Sequence, residues 1–328
     1  MHTLRELKRK HELAAMEALL FESGIRYEAG MTYCLGLYEG EALIACGGVE
    51  GAVIKCLCVS PLYRGEAHLN KVAGALYTYL RQEGVNEVFV FTAPRNEPLF
   101  QSLGFFTLAR SEEALLLTND KNGMLRYLRT LSPTSHTAMP TSAAIVMNAN
   151  PFTLGHRHLI EQAKQACNLL HIFVVEENKS EFSFKTRFVL VREGVSDLKN
   201  VLVHQGGPYI ISAATFPSYF LKDATGAAKA HAEIDASIFG QYIAPALNIQ
   251  TRFLGEEPLD PLTRLYNEAL VRILPPLGIE VRIIKRKETE GAPISASRVR
   301  ALLKEGRLAE LSALVPESTL AYLQTKNA

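Results

Sequence analysis

The sequence predicts an α/β protein of two domains, an α+β region followed by a doubly wound parallel sheet. Three observations carry that expectation. The chain has 328 residues, roughly twice the usual domain length. A stretch rich in Ser, Thr and Pro, residues 131–142, separates two regions of regular periodicity. After it, continuous apolar runs alternate with helical spacing, the pattern of strands covered on both faces and joined by crossover helices. The expected division is therefore 1–130, a linker over 131–142, and 143–328.

Within the first region the spacing predicts a helix over 3–20, strands over 33–38, 42–49 and 54–59, a helix over 69–82, a strand over 87–92 and a short helix over 98–103. Within the second it predicts strands over 143–147, 170–175, 201–204, 251–254 and 280–284. Helices are expected over 156–169, 185–197 and 262–274, with Leu159, Ile160, Ala163, Ala166 and Leu170 sharing one helical face. Sheets of this kind bind ligands just beyond the carboxyl ends of their strands, beside the switch in strand order.

Composition narrows the function. Hydrophobic residues make up 48% of the chain and charged residues 21%, which suffices for full cores. Thirty-five basic against thirty-four acidic residues give a formal charge of +1, so no footprint for nucleic acid or an anionic membrane is expected. No apolar run is longer than Ala143–Met147, which is far short of the roughly 20 residues that span a bilayer. The first ten residues alternate in charge without an apolar signal core, which points to the cytoplasm. Five cysteines (Cys34, Cys46, Cys56, Cys58, Cys167) are scattered. Cys56 and Cys58 share a strand face, but no His or second Cys pair follows at zinc spacing. They read as reduced core residues, with no metal site.

The chemistry-bearing segment is Asn148-Ala-Asn-Pro-Phe-Thr-Leu-Gly-His-Arg-His158, directly after the first strand of the second region. A strand, a tight turn and a helix opening near Gly155 make an anion site, because first-turn amides and the positive helix end face the same space. Gly155 permits close backbone approach, and His156 can donate to a phosphate oxygen from the first helical turn. Taken alone, the segment is equally a plain Thr153 N-cap with exposed histidines.

This segment resembles the TxGH form of the HxGH signature of the nucleotidylyltransferase superfamily. Asn150-Pro151 stands for the usual Asp-Pro, Thr153 for the first histidine, and Gly155 and His156 match directly. The loop Glu176–Arg187 is similar to that superfamily's Lys, Phe and helix-opening Arg, with Lys179 and Arg187 at the matching positions. Pro293-Ile-Ser-Ala-Ser-Arg-Val-Arg300 resembles its ISxSxxR phosphate-binding signature, in which Ser295 and Ser297 can cap a helix whose amides act with Arg298 on phosphates. The resemblance implies nucleotide contacts from Asn148, Asn150, Thr153, Gly155, His156, Arg187, Ser295, Ser297 and Arg298. It assigns catalytic donors to His156, Lys179 and Arg298. ATP is then a substrate, with Mg²⁺ held mainly by the triphosphate.

In the first region, Tyr63-Arg-Gly-Glu-Ala-His-Leu-Asn70 resembles the pyrophosphate turn of acyl-CoA N-acetyltransferase (GNAT) folds, and Leu99–Phe105 their late helix-to-strand element. Arg64, Gly65 and Ala67 are the candidate contacts to a CoA-like arm. Ala67 and Leu69 stand where glycine is usual, which implies a domain that no longer transfers acetyl from acetyl-CoA. The residues also permit a plain turn over 63–65 with Leu99, Phe100 and Leu103 as core. With Phe253–Pro258, Leu265–Glu268 and Ile294–Arg298, the chain resembles the citrate lyase ligase family over nearly its whole length. That resemblance implies activation of acetate as acetyl-adenylate with release of pyrophosphate. The acetyl group then passes to the thiol arm of the acyl carrier (gamma) subunit of citrate lyase, releasing AMP. Two other readings stay open: a nucleotidyltransferase acting on a phosphorylated small molecule such as a pantetheine phosphate, and a nucleotide-sensing scaffold without turnover.

Overall fold

A computed structural model describes residues 2–63, 67–131, 141–177, 179–211, 217–221, 223–257 and 260–327. Candidate residues Arg64 and Gly65, and residues 132–140 of the expected linker, lie outside the described residues. Two compact units result. The first comprises 1–123 and 216–230, the second 124–215 and 231–328.

The first unit begins with β1 (His2–Glu6), α1 (Lys10–Glu22), β2 (Tyr33–Glu39), β3 (Ala42–Glu50) and β4 (Val53–Val59). It continues through α2 (His68–Gln82), β5 (Phe89–Thr92), α3 (Glu97–Ser102), β6 (Phe106–Arg110) and β7 (Leu115–Thr118). The strands form one seven-stranded sheet in the order β1-β2-β3-β4-β5-β7-β6. Only the β4–β5 step is parallel, and α2 makes the crossover that a parallel step requires. α2 forms because Val72, Ala73, Leu76 and Leu80 recur on one face and are buried in the main cluster with Ile54, Val90 and Leu117. This is the α+β architecture expected from the sequence.

Residues 2–6 correct one expectation. The apolar spacing over 3–20 reads as a single helix, but His2–Glu6 pair antiparallel with Leu35–Glu39, and helix starts only at Lys10. An edge strand with charged outward residues has the same sparse apolar content as a frayed helix start. β6 and β7, also outside the sequence reading, close the far edge of the sheet.

The second unit begins within α4 (Gly123–Leu131). It continues through β8 (Ser142–Met147), α5 (Leu154–Gln165), β9 (Leu169–Val174), α6 (Phe184–Gly194) and β10 (Val201–Gln205). From residue 231 onward, α7 (Ala224–Ile238) belongs to it as well and runs through a π-helical turn into the short α8 (Ala244–Ala246). Then come β11 (Ile249–Gly255), α9 (Pro261–Ile273), β12 (Glu280–Ile284), the hairpin β13 (Glu288–Thr289) and β14 (Ala292–Pro293), α10 (Ala296–Lys304) and α11 (Glu317–Asn327). The five main strands are all parallel in the order β10-β9-β8-β11-β12. Chain order therefore reverses between β8 and β11, the switch beside which such sheets bind ligands. α5 and α6 bury Ile160, Ala163, Leu190 and Val191 against Ile145, Met147, Ile172 and Val174. Leu170, expected on the α5 face, is instead in β9.

The opposite face holds a buried polar knot. Arg252 of β11 meets Asp235 of α7 at 3.0 Å, and the Tyr266 hydroxyl donates to the same carboxylate at 2.6 Å and accepts from Arg252 at 3.0 Å. Both charged side chains are 1% exposed. Removing one partner of such a pair strands the other charge in the interior. We expect Asp235→Ala to lower the unfolding free energy of the second unit by about 3–5 kcal/mol, read from urea titrations. A loss below about 1 kcal/mol contradicts this assignment.

Candidate active site

Sequence-distant segments converge at the carboxyl end of β8. The chain leaves β8 through Ala149, which adopts a left-handed backbone (φ +51°), and reaches α5 through Phe152 and Thr153. Thr153 is the N-cap: its Oγ1 accepts from the His156 amide at 3.3 Å. The helix end is less open than the sequence implies, because the Leu154 amide also donates to the Leu314 carbonyl at 2.9 Å. Side chains therefore carry more of the site's donor capacity.

His156 folds back over its own cap. The Thr153 amide donates to its Nδ1 at 3.1 Å, and the Thr153 hydroxyl lies 2.9 Å from the same nitrogen. A ring nitrogen that accepts from a backbone N–H carries no proton, so in the neutral imidazole the proton sits on Nε2. Burial pushes the His156 pKa down to about 4, and the nearby Arg286 charge acts in the same direction. At neutral pH the residue is thus an uncharged Nε2–H donor.

Gly155 has a different reason from the one expected. A Cβ there would stand 2.8 Å from the Ile294 carbonyl. The glycine lets the first turn of α5 touch the segment that opens α10, and so joins the TxGH and ISxSxxR stretches. Ser295 caps α10, accepting from the Arg298 amide at 3.1 Å. Ser297 does not cap: it lies inside the helix, where its Oγ accepts from Arg300 at 3.1 Å. Arg298 donates through Nη2 to Glu290 at 3.1 Å, while its Nη1 is buried without a hydrogen-bond partner among the described residues. Arg300 reaches back to the Asn150 carbonyl at 2.5 Å.

Arg187 is fully buried, and its donors all go to the protein. Nη1 donates to the Asn148 carbonyl (2.7 Å), to Asn148 Oδ1 (2.6 Å) and to the Val175 carbonyl (3.0 Å). Nη2 donates to the Glu177 carbonyl (2.6 Å) and Nε to that of Phe182 (3.1 Å). It shapes the site rather than lining it. Asn148 and Asn150 are spent in the same way, donating to Ser180 Oγ (3.0 Å) and accepting from the Phe182 amide (3.1 Å), respectively. Glu177, which the sequence reading missed, accepts from the Lys179 and Ser180 amides at 2.5 and 3.1 Å and so fixes the loop that carries the exposed Lys179 side chain. Arg286 was also missed. It follows β12, donates through Nε to the Glu256 carbonyl at 2.6 Å and pairs with Glu257. Its only sequence signal is the basic run Lys285–Lys287 beyond a strand end. In the first unit, Ala67 precedes α2 with φ −70°, a conformation open to any residue.

A family model described as the citrate lyase ligase C-terminal domain matches residues 142–323. A citrate (pro-3S)-lyase ligase from Klebsiella pneumoniae is 40% identical over 322 residues, covering 97% of this chain and 94% of that protein. The chain belongs to the citrate lyase ligase family. A second ligase of that name, from Escherichia coli, is 38% identical and covers 95% of this chain and 90% of its own length. Among solved structures, ElaA from Escherichia coli is 14% identical with a TM-score of 0.33, covering 37% of this chain and 100% of that one. An acyl-CoA N-acyltransferase from Pseudomonas aeruginosa is 13% identical at the same TM-score, covering 37% and 99%. No described helix is long and apolar enough to cross a membrane.

The Gly155 contact yields a direct test of this candidate site. Gly155→Ala forces the α5 turn away from Ile294, and overpacking of this kind costs roughly 1–3 kcal/mol. ATP affinity should fall tenfold or more in equilibrium binding, and unchanged affinity in folded protein contradicts the contact's role.

Proposed function

We propose that this chain is an ATP-dependent ligase that activates acetate and acetylates the thiol arm of the acyl carrier subunit of citrate lyase. Family membership supports the overall reaction, and the neutral, oriented His156 is the observation that supports the site. An acetate oxygen attacks the α-phosphorus of ATP, the bond to the β-phosphate breaks, and pyrophosphate leaves. The carrier thiolate then attacks the acetyl carbon of the adenylate, a thioester forms, and AMP departs. The first half-reaction transfers a nucleotidyl group, so its catalysis consists of positioning and of donors aimed where charge develops. His156 Nε2–H and Arg298 Nη1 are those donors, with Lys179 on the loop after β9. Arg187, Asn148 and Asn150 act as positioning residues. Mg²⁺ comes with the triphosphate, whose oxygens and water suit its octahedral preference.

The first unit recognises the CoA-like arm or its carrier without transferring acetyl from acetyl-CoA. No disulfide joins the five cysteines, which suits a reducing compartment, and the ligase works in the cytoplasm on a soluble carrier. Incubation with ATP, acetate and hydroxylamine tests the function. Acetyl hydroxamate and AMP are expected, whereas pyrophosphate released only with a phosphorylated acceptor indicates a simple nucleotidyltransferase. ATP binding without turnover indicates a scaffold.

Two variants test the roles. His156→Ala should slow adenylylation by roughly 10²–10³-fold, the scale for one preorganised donor. With its pKa lowered to about 4, His156 stays neutral at and above about pH 5. The single-turnover rate should therefore show no inflection near pH 6.5 that this substitution removes. A loss below threefold, or such an inflection, contradicts the role. Arg298→Ala should weaken ATP binding tenfold or more, and an unchanged dissociation constant removes Arg298 as a phosphate clamp.

A further inference from the structure

The first unit contains a feature that adenylylation does not use. β4 and β5 run parallel but pair over only two positions, Val53 with Phe89 and Ile54 with Val90. Two residues later Cys56 takes a left-handed backbone (φ +54°), which bends a strand out of its ladder. The strands fork there, although β4 continues to Val59 and β5 to Thr92. A fork of this kind presents two strand edges whose amides and carbonyls need partners when buried.

A remote segment enters the fork. Residues 217–221 follow β10 in sequence but belong to the first unit. The Tyr219 hydroxyl donates to the Phe91 carbonyl of β5 at 2.7 Å. The hydroxyl thus ties the segment to β5. The ring is 5% exposed and packs in the cluster that holds Cys34, Cys46, Cys56 and Cys58. The segment is tied down on both sides of the ring. The Arg26 amide donates to the Tyr219 carbonyl (2.9 Å), Arg26 Nη2 to the Ser218 carbonyl (2.8 Å), and the Ser218 amide to Glu28 Oε1 (2.7 Å). Beside the ring a cleft remains, lined by Leu57, Leu69, Thr92, Arg95, Phe100 and Tyr219.

We propose that residues 218–220 are a plug: they occupy the place of an extended, amide-bearing thiol arm, which binds the first unit only in competition with them. The fork selects that chemistry. Facing strand edges bind extended ligands that supply donors and acceptors along their length. Successive amides on a narrow aliphatic chain do this, whereas the phenol meets the need at one point. Leu57, Leu69 and Phe100 suit the methylenes between amides, and Arg95 suits an anionic tail. The carrier's arm as the source of this ligand rests on the ligase reading above.

Full-length protein, saturated with ATP to fill the second unit, is titrated calorimetrically with dephospho-coenzyme A. Tyr219→Ala/Phe220→Ala should bind the probe at least tenfold more tightly than wild type. Tyr219→Phe keeps the ring but loses the hydrogen bond to Phe91, and should gain threefold or more; it decides alone if the double variant misfolds. Equal affinity in wild type and Tyr219→Phe, or no binding by any protein, overturns the plug. Hydroxamate formation is followed in the same samples. Its absence in wild type sinks the ligase reading, while the titration still reports on the plug.

Discussion

Arg187 carries a guanidinium into the interior of the second unit, and the loops on both sides of the site take their shape from it. Burying a charge is costly unless its donors are met. Here they are met by the carbonyls of Asn148, Val175, Glu177 and Phe182 and by the Asn148 side chain, with the Glu177 carboxylate 3.4 Å away. Those acceptors belong to the turn after β8 and the loop after β9. Neither segment can move without stranding part of the guanidinium, so the start of α5 and the loop bearing Lys179 are held as one piece. The Asn148–Ser180 and Asn150–Phe182 hydrogen bonds close the same knot from the other side.

On this frame the site gathers donors of different kinds. Arg286 and Arg298 are permanent cations, whereas His156 stays neutral through burial and a neighbouring positive charge. A charged imidazole beside Arg286 would be repelled by it. A neutral Nε2–H still stabilises negative charge as it develops, without that cost before substrate arrives. Gly155 supplies the remaining link, because the absent Cβ lets α5 meet the segment leading into α10.

Local chemistry was legible in the sequence and long-range chemistry was not. Thr153 and Ser295 as caps, the parallel strands and the switch beyond β8 follow from spacing within a few residues. The Arg300 contact to Asn150 joins residues 150 apart, and no periodicity encodes it. Arg187 reads as a helix-opening cation that contacts the nucleotide, because burial is a property of the packed loops. Arg286 is hidden in a basic run that looks like any solvated strand end. Residues 3–6 read as helix because an edge strand is sparse in apolar residues, and the seating of Tyr219 in the first unit departs from a division drawn from composition and periodicity along the chain.

The central claim is that the second unit's site makes an acyl-adenylate reversibly from ATP and a small carboxylate. Exchange of labelled pyrophosphate into ATP by the full-length protein, with and without acetate and with no carrier present, tests this most directly. The account predicts exchange that requires acetate and needs no carrier. Exchange that ignores acetate, or that occurs only with a phosphorylated acceptor, would contradict it.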